Sequence, residues 1–262
     1  MFKLHQQNTD FAWTQPDGPY ATISLAQAEA YRETGGFVFH DAFTNQEIAA
    51  LMAELDPIES SANRTLQDQP PLGPSIARAD EIVFTPHIVE HSSVAGAFAR
   101  HPVLQGICRD LIGDEVHLYW DQLVYKRPDT AVNFPWHQDN GYTFVQPQQY
   151  LTCWIALTDA TVKNGCPWMA PGLHRLGTLE HRWTDLGFVC LESDPHDAVA
   201  LELKAGSIAV FSSLTPHRTG PNQTDEIRKA YILQFAPAGA QVYPRSGEPY
   251  PANDPNRQFR VV

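Results

Sequence analysis

The sequence predicts an α+β chain that is mainly β, with helices at the front packed on an antiparallel double-sheet or jelly-roll core. Three observations predict it. Segments with helical spacing and helix caps are confined to the stretch before Gly113. After Gly113 the chain breaks into short β-branched and aromatic runs separated by turn signals. No repeat, heptad run, low-complexity tract or linker interrupts it, so residues 1–262 read as one domain. Its helical part covers about 20–113, its core about 114–237, and an irregular tail rich in Pro, Gly and Arg covers 238–262.

In chain order, Ser24 before Leu25-Ala26-Gln27-Ala28-Glu29-Ala30-Tyr31 is an N-cap and a helix, and Gly35-Gly36 stops it. Phe37-Val38-Phe39 is a short strand. Thr44-Asn45-Gln46-Glu47 fits a capping box, and Ile48, Leu51, Met52 and Leu55 recur at helical spacing until Pro57, where the helix is expected to end. Glu59 to Pro74 is polar and Pro-rich without periodicity, which predicts a long loop. Apolar spacing returns over Ile88 to Phe98 and Val103 to Ile112, both read as helices. Strands are expected at Val116 to Lys126, Tyr150 to Leu157, Ser207 to Phe211 and Tyr231 to Phe235. Asn164-Gly165 is a hairpin-type turn, and Ala205-Gly206 and Gly220-Pro221-Asn222 punctuate similarly.

The net charge of −12, with Lys and Arg scattered, argues against a nucleic-acid partner or an anionic membrane surface. No apolar run approaches the roughly 18–20 residues that span a bilayer, and the N-terminus lacks an apolar targeting core. A cytoplasmic protein acting on a small molecule is the expectation. Cys108, Cys153, Cys166 and Cys190 show no metal or redox spacing and are read as buried thiols.

The chemistry is concentrated in Asn133-Phe134-Pro135-Trp136-His137-Gln138-Asp139-Asn140-Gly141-Tyr142. On a strand, His137 and Asp139 would point to one face and Gln138 to the other. Eleven His and 17 Asp in 262 residues produce about 0.7 such pairs by chance, so the pair needs support from elsewhere. His217 supplies it. It follows the strand Ser207 to Phe211, and Arg228 stands eleven residues further on. Two imidazoles and one carboxylate suit Fe(II) with open positions, and a guanidinium beyond the metal can fork onto the far carboxylate of a 2-oxo diacid.

With these residues in place the sequence resembles the phytanoyl-CoA dioxygenase family of Fe(II)/2-oxoglutarate oxygenases, from about Tyr31 to Phe235. The family's Trp-His-Gln-Asp signature stands as Trp136-His137-Gln138-Asp139. Asn164-Gly165-Cys166, Ala170-Pro171-Gly172-Leu173-His174-Arg175 and Ala205-Gly206-Ser207 follow in the family's order, with Leu173 and Ser207 departing from the commoner residues. The resemblance implies a double-stranded β-helix (jelly-roll, cupin-like) core and an enzyme that uses Fe(II), 2-oxoglutarate and O2 to hydroxylate or otherwise oxidise a small molecule. It implies that His137, Asp139 and His217 bind iron and that Arg228 and Thr219 bind the 2-oxoglutarate C5 carboxylate. Trp154 and Gln122 fall where the family places further cosubstrate contacts. His174 is read as supporting the fold, and the other eight histidines as structural.

Three alternatives stand beside this reading. A zinc-dependent hydrolase also needs three protein ligands and an open position, but leaves Arg228 without a task. A non-catalytic metal-binding member of the fold conflicts with the intact ligand set. A halogenase would lack the carboxylate that Asp139 provides. The substrate is not legible, because the loops expected to line the pocket, 59–82, 142–149 and 176–199, have no readable shape; an acidic chain without a basic groove offers no support for a CoA ester.

Overall fold

The computed structural model describes residues 2–71, 75–131 and 133–262. Helix α1 (Leu25–Thr34) starts at the expected N-cap, and the cap is a full capping box: the Ser24 hydroxyl accepts from the Gln27 amide and the Gln27 side chain accepts from the Ser24 amide. It ends at Gly35, which is left-handed at φ 91°. No side chain fits there: a Cβ on Gly35 would meet the Thr215 hydroxyl and lie 2.7 Å from His174 Nδ1. Strand β1 (Gly36–Phe39) follows.

Helix α2 (Asn45–Asp68) begins at the Thr44–Glu47 capping box but does not stop at Pro57. The expected loop from Glu59 is instead helical as far as Asp68, while Leu72, Gly73 and Pro74 lie outside the described residues. Proline forfeits one amide bond and crowds the carbonyl four residues back. Tertiary bonds beyond the proline offset that cost: buried Glu59 takes Arg127 in a two-pronged pair at 2.8 and 3.2 Å, and Asn63 exchanges hydrogen bonds with Asp80 at 2.9 Å. Glu59→Ala should therefore destabilise the protein by about 3 kcal/mol, because it strands a guanidinium whose side chain is only 16% exposed. Urea unfolding of Glu59→Ala, Arg127→Ala and the double variant measures the coupling; additive losses would show that the pair does not hold this end of α2.

Strand β2 (Ile82–Pro86) leads to a 3-10 turn at Ile88–Glu90, then α3 (Ser93–Phe98) and α4 (Pro102–Leu111). The single helix expected over Ile88 to Phe98 is thus broken, because Ser92 is extended at φ −140° and its hydroxyl caps α3 through the Ala95 amide. The strands that follow are β3 (Val116–Lys126), β4 (Phe134–His137), β5 (Phe144–Gln146), β6 (Leu151–Ala156), β7 (Pro167–Met169), β8 (Arg182–Thr184), β9 (Gly187–Val189), β10 (Val199–Ala200), β11 (Ile208–Ser212), β12 (His217–Thr219), β13 (Arg228–Pro237), β14 (Gln241–Tyr243) and β15 (Tyr250–Pro251).

The jelly roll is built from a six-stranded sheet in the order β1-β11-β6-β13-β3-β2 and a four-stranded sheet β10-β7-β12-β4, all pairs antiparallel. The Asn164-Gly165 turn does not close a hairpin; it carries the chain from β6 in the large sheet to β7 in the small one. The expected irregular tail is ordered: β14 pairs with β5 and β15, and the Leu118 amide donates to Phe259 O at 3.0 Å while the Val261 amide donates to Val116 O at 2.8 Å. Val242, Val261 and Val262 are buried, which explains why the tail docks despite its Pro and Gly content.

Period-2 alternation divides the large sheet. Leu123 and Tyr125 of β3, Cys153 and Ile155 of β6, and Tyr231, Leu233 and Phe235 of β13 pack in the main core with the helices. The opposite face of the same three strands turns towards the small sheet and forms the wall of a cavity. Register across that face is Arg228 beside Lys126, Ile232 between Gln122 and Trp154, and Gln234 between Trp120 and Thr152. The register shifts after Gln234, so consecutive Tyr119 and Trp120 of β3 both line the cavity, which strict alternation forbids.

Candidate metal centre and its pocket

His137 ends β4 and His217 opens β12, and the two stand directly opposite in register with ring centroids 4.1 Å apart. Asp139 is not on the strand. It starts a 3-10 turn, Asp139–Gly141, so the geometry comes from that turn rather than from the alternation the sequence suggested. The result is the same cluster: Asp139 Oδ1 lies 4.0 Å from His137 Nε2 and 3.7 Å from His217 Nε2, and all three ligand atoms fall within 4.8 Å of one another. Gln138 points away, as expected. Its buried amide donates to Gly177 O and Leu214 O and accepts from the Leu179 amide.

Each ligand is aimed by a second bond. Pro135 O stands 2.8 Å from His137 Nδ1 and Thr215 O stands 3.0 Å from His217 Nδ1, so each ring donates its Nδ1–H and turns a bare Nε2 lone pair to the centre. The Thr152 hydroxyl on β6 donates to Asp139 Oδ2 at 2.5 Å, leaving Oδ1 as the oxygen that faces both rings. Burial, and then the neighbouring His217, hold His137 well below the usual imidazole range, which keeps it a neutral ligand. Behind the centre the His181 Nε2 accepts from the Gln138 amide, and burial pushes that ring down to about 4. Trp136 completes the support: its indole donates to Asp194 at 2.7 Å, and Arg218, itself bonded to Asp194, lies over the ring.

The triad lies in the wall of a cavity of about 270 Å³ between the two sheets. Thr219, Trp154 and Gln122 line it as well, whereas Arg228 does not line it but packs behind Trp154. Arg228 is completely buried with its guanidinium carbon 5.1 Å from the Trp154 ring centroid. One nitrogen makes a long 3.4 Å bond to Val124 O, while Nε and the other terminal nitrogen have no partner among the described residues. Burial lowers its pKa to about 10. A buried cation with orphaned donors is costly unless an anion arrives to take them, and a planar fork fits a carboxylate. The donor set therefore suits a bound carboxylate.

Sequence reasoning missed two residues here. Lys126 faces Arg228 across the β3–β13 pair; its ammonium donates to Gly220 O at 2.6 Å and stands 3.4 Å from the Thr219 hydroxyl. Burial, then Arg228 and Arg218, push Lys126 down to about 6. Its signal was its parity: Gln122, Val124 and Lys126 share one strand face, on which lysine is out of place unless it has a task. Thr152 gave no signal, because a hydroxyl that holds a ligand reads the same as any strand threonine. Among the loops expected to line the pocket, Ile76, Ile82, Tyr142 and Thr143 do so, whereas none of the described residues of 176–199 does.

Comparison with known proteins agrees with this geometry. The model of the phytanoyl-CoA dioxygenase family matches residues 31–230. A phytanoyl-CoA dioxygenase of Arabidopsis thaliana is 34% identical over 116 residues, which is 42% of this chain and 41% of that protein, so the match spans less than half of that relative. An ectoine dioxygenase of Bordetella bronchiseptica is 25% identical over 228 residues, 79% of this chain and 73% of that one. Among solved structures, EvdO2 from Micromonospora carbonacea var. aurantiaca complexed with 2-oxoglutarate is 25% identical and superposes with a TM-score of 0.66, covering 89% of this chain and 97% of its own.

Proposed function

From the premise that this chain belongs to the phytanoyl-CoA dioxygenase family, we propose that it is a non-haem iron oxygenase that hydroxylates a small molecule at the expense of 2-oxoglutarate. The observation that carries the reading is the pairing of a His137–Asp139–His217 cluster in the cavity wall with a fully buried Arg228 that packs on the cavity-lining Trp154 and has donors without a partner among the described residues. Bound Fe(II) supplies oxygen activation, with O2 split between the carboxylate of succinate and a substrate hydroxyl as 2-oxoglutarate loses CO2.

The chain's own residues do the rest. His137 and His217 present neutral Nε2 atoms, and Asp139 adds one negative charge through Oδ1. Arg228 forks onto the far carboxylate of 2-oxoglutarate, with the Thr219 hydroxyl and Lys126 beside it and Trp154 forming the floor. Gln122 lines the same cavity and contributes neutral hydrogen-bonding groups. Val124, Ile232 and Phe211 keep water from the reacting end. Zinc hydrolysis and a non-catalytic role both leave the buried guanidinium without an anion, and we set them aside for that reason. Residues 1–262 act as one oxygenase unit in this reading. No described helix is long and apolar enough to cross a membrane. The acidic charge and the four free cysteines support a cytoplasmic protein without nucleic-acid or membrane partners.

The test is anaerobic addition of Fe(II) and then 2-oxoglutarate, which should develop a visible charge-transfer band, followed by oxygen and measurement of succinate. Failure of the band with both additions saturating would sink the proposal. A finer expectation concerns Thr152. Thr152→Val should weaken Fe(II) binding about 10- to 100-fold, the usual cost of an outer partner, and Thr152→Ser should restore most of it. Equal Fe(II) affinity in Thr152→Val would show that the hydroxyl does not position Asp139.

A further inference from the structure

We propose that this site takes an uncharged, largely apolar or aromatic substrate bearing a hydroxyl or carbonyl group, and discriminates against carboxylates, phosphonates and acyl-CoA esters. The proposal rests on the oxygenase reading and adds to it the class of molecule oxidised. Among the described residues, the charged or readily titrated groups lining the cavity are His137, Asp139 and His217 alone, and those are committed to the metal. The two nearby basic side chains, Arg228 and Lys126, stand at the Thr219 and Trp154 end, where the cosubstrate carboxylate uses them. What remains for the substrate is a wall of Ile82, Phe84, Phe134, Tyr119, Trp120 and Ile232. An anion placed against that wall loses its hydration without gaining a partner, at a cost of several kcal/mol.

Arg245 does not supply the missing charge. It donates to Gly141 O at 3.2 Å and its guanidinium carbon lies 4.0 Å over the Phe188 ring, in a separate cleft that it lines together with Tyr142. The polar handle is Gln234 on β13. It is only 6% exposed, lines the cavity, and its side-chain amide has no hydrogen-bond partner among the described residues. Its neighbour across the strand pair is Thr152, whose hydroxyl holds Asp139. Directly opposite residues have their Cβ atoms about 5 Å apart, so a substrate hydroxyl or carbonyl bound by Gln234 is delivered beside the metal ligand. The carbon to be oxidised lies close to that polar group.

The experiment uses the intact protein loaded with Co(II), which replaces iron without turnover, and with 2-oxoglutarate. Cinnamic, benzoic and cyclohexanecarboxylic frameworks, each with and without a ring hydroxyl, are titrated calorimetrically as methyl ester, primary amide and free carboxylate; methylphosphonate and a short acyl-CoA complete the panel. Neutral members should bind about tenfold or more tightly than their carboxylates. Gln234→Leu should cost the neutral members about tenfold, since each offers a carbonyl or hydroxyl to that amide, the effect of one buried hydrogen bond. Gln234→Arg should favour the carboxylates. Equal or tighter binding of the anions, or saturable binding by no neutral member, overturns the proposal. Should either variant fail to fold, the wild-type ester and carboxylate pairs decide alone. Slow succinate formation without substrate, measured in an Fe(II) sample of the same preparation, separates the two readings: if it occurs and the anions win, only the substrate class falls, and if it is absent, the oxygenase reading falls with it.

Discussion

His217→Ala should abolish succinate formation and lower Fe(II) affinity by more than the roughly 10- to 100-fold that loss of an outer partner costs, while the protein stays folded. The ring faces its partner across the β4–β12 register, and its Nε2 is one of three ligand atoms within 4.8 Å of one another. Removing it leaves two donors for a metal that needs a facial set of three. His137→Ala and Asp139→Ala should behave alike, with one difference: loss of Asp139 also frees the Thr152 hydroxyl and removes the negative charge. Asp139→Gly should keep some iron without hydroxylating. Fe(II) titration and succinate assay on variants whose circular dichroism matches wild type provide the check; undiminished succinate in any one of them breaks the triad.

Arg228→Ala should weaken 2-oxoglutarate binding by about 2–5 kcal/mol, a factor of roughly 30 or more. Much of that loss is the penalty for a carboxylate left unpaired in a buried pocket. Arg228→Lys should rescue only partly, since an ammonium is a point charge and cannot reproduce the fork. Fe(II) affinity without 2-oxoglutarate should hardly change. Titration of the charge-transfer band in wild type and variant measures the difference. Equal 2-oxoglutarate affinity would return the zinc-hydrolase reading to contention.

The sequence exposed the parts of the molecule that are governed by local chemistry. The N-cap at Ser24, the capping box at Thr44 and the period-2 strands of the core are where their patterns placed them. The reading failed where distant partners overrule local preference. Pro57 should end a helix, but Arg127 and Asp80 hold the residues beyond it. The Pro- and Gly-rich tail looked irregular, yet β5 and β3 offer it unpaired edges. At the site, the His137, Asp139 and His217 cluster was legible because few side-chain types can hold a metal and their order along the chain can be read, whereas Thr152 and Lys126 act through which side of a strand they occupy and which strand lies opposite. The cavity's apolar wall was invisible for the same reason, since β2, β6 and β13 each supply only alternate residues to it and β3 breaks the alternation at Tyr119 and Trp120.

The tight seat of Gly35 ties the iron centre to a helix that contributes nothing to it chemically. Gly35 O accepts from the Thr215 hydroxyl at 2.8 Å and from the Ser212 amide at 3.0 Å, and the carbonyl of that same Thr215 aims His217. The C-terminal end of α1 therefore acts as a strut under one ligand. Gly35→Ala forces a side chain into left-handed backbone and against Thr215 and His174, so the strain is delivered to the ligand loop as well as to the helix. Amide hydrogen exchange over Tyr31 to Gly35 and the rate at which a chelator strips the metal should then rise together. In this architecture, loosening the helical layer and leaking iron are one event.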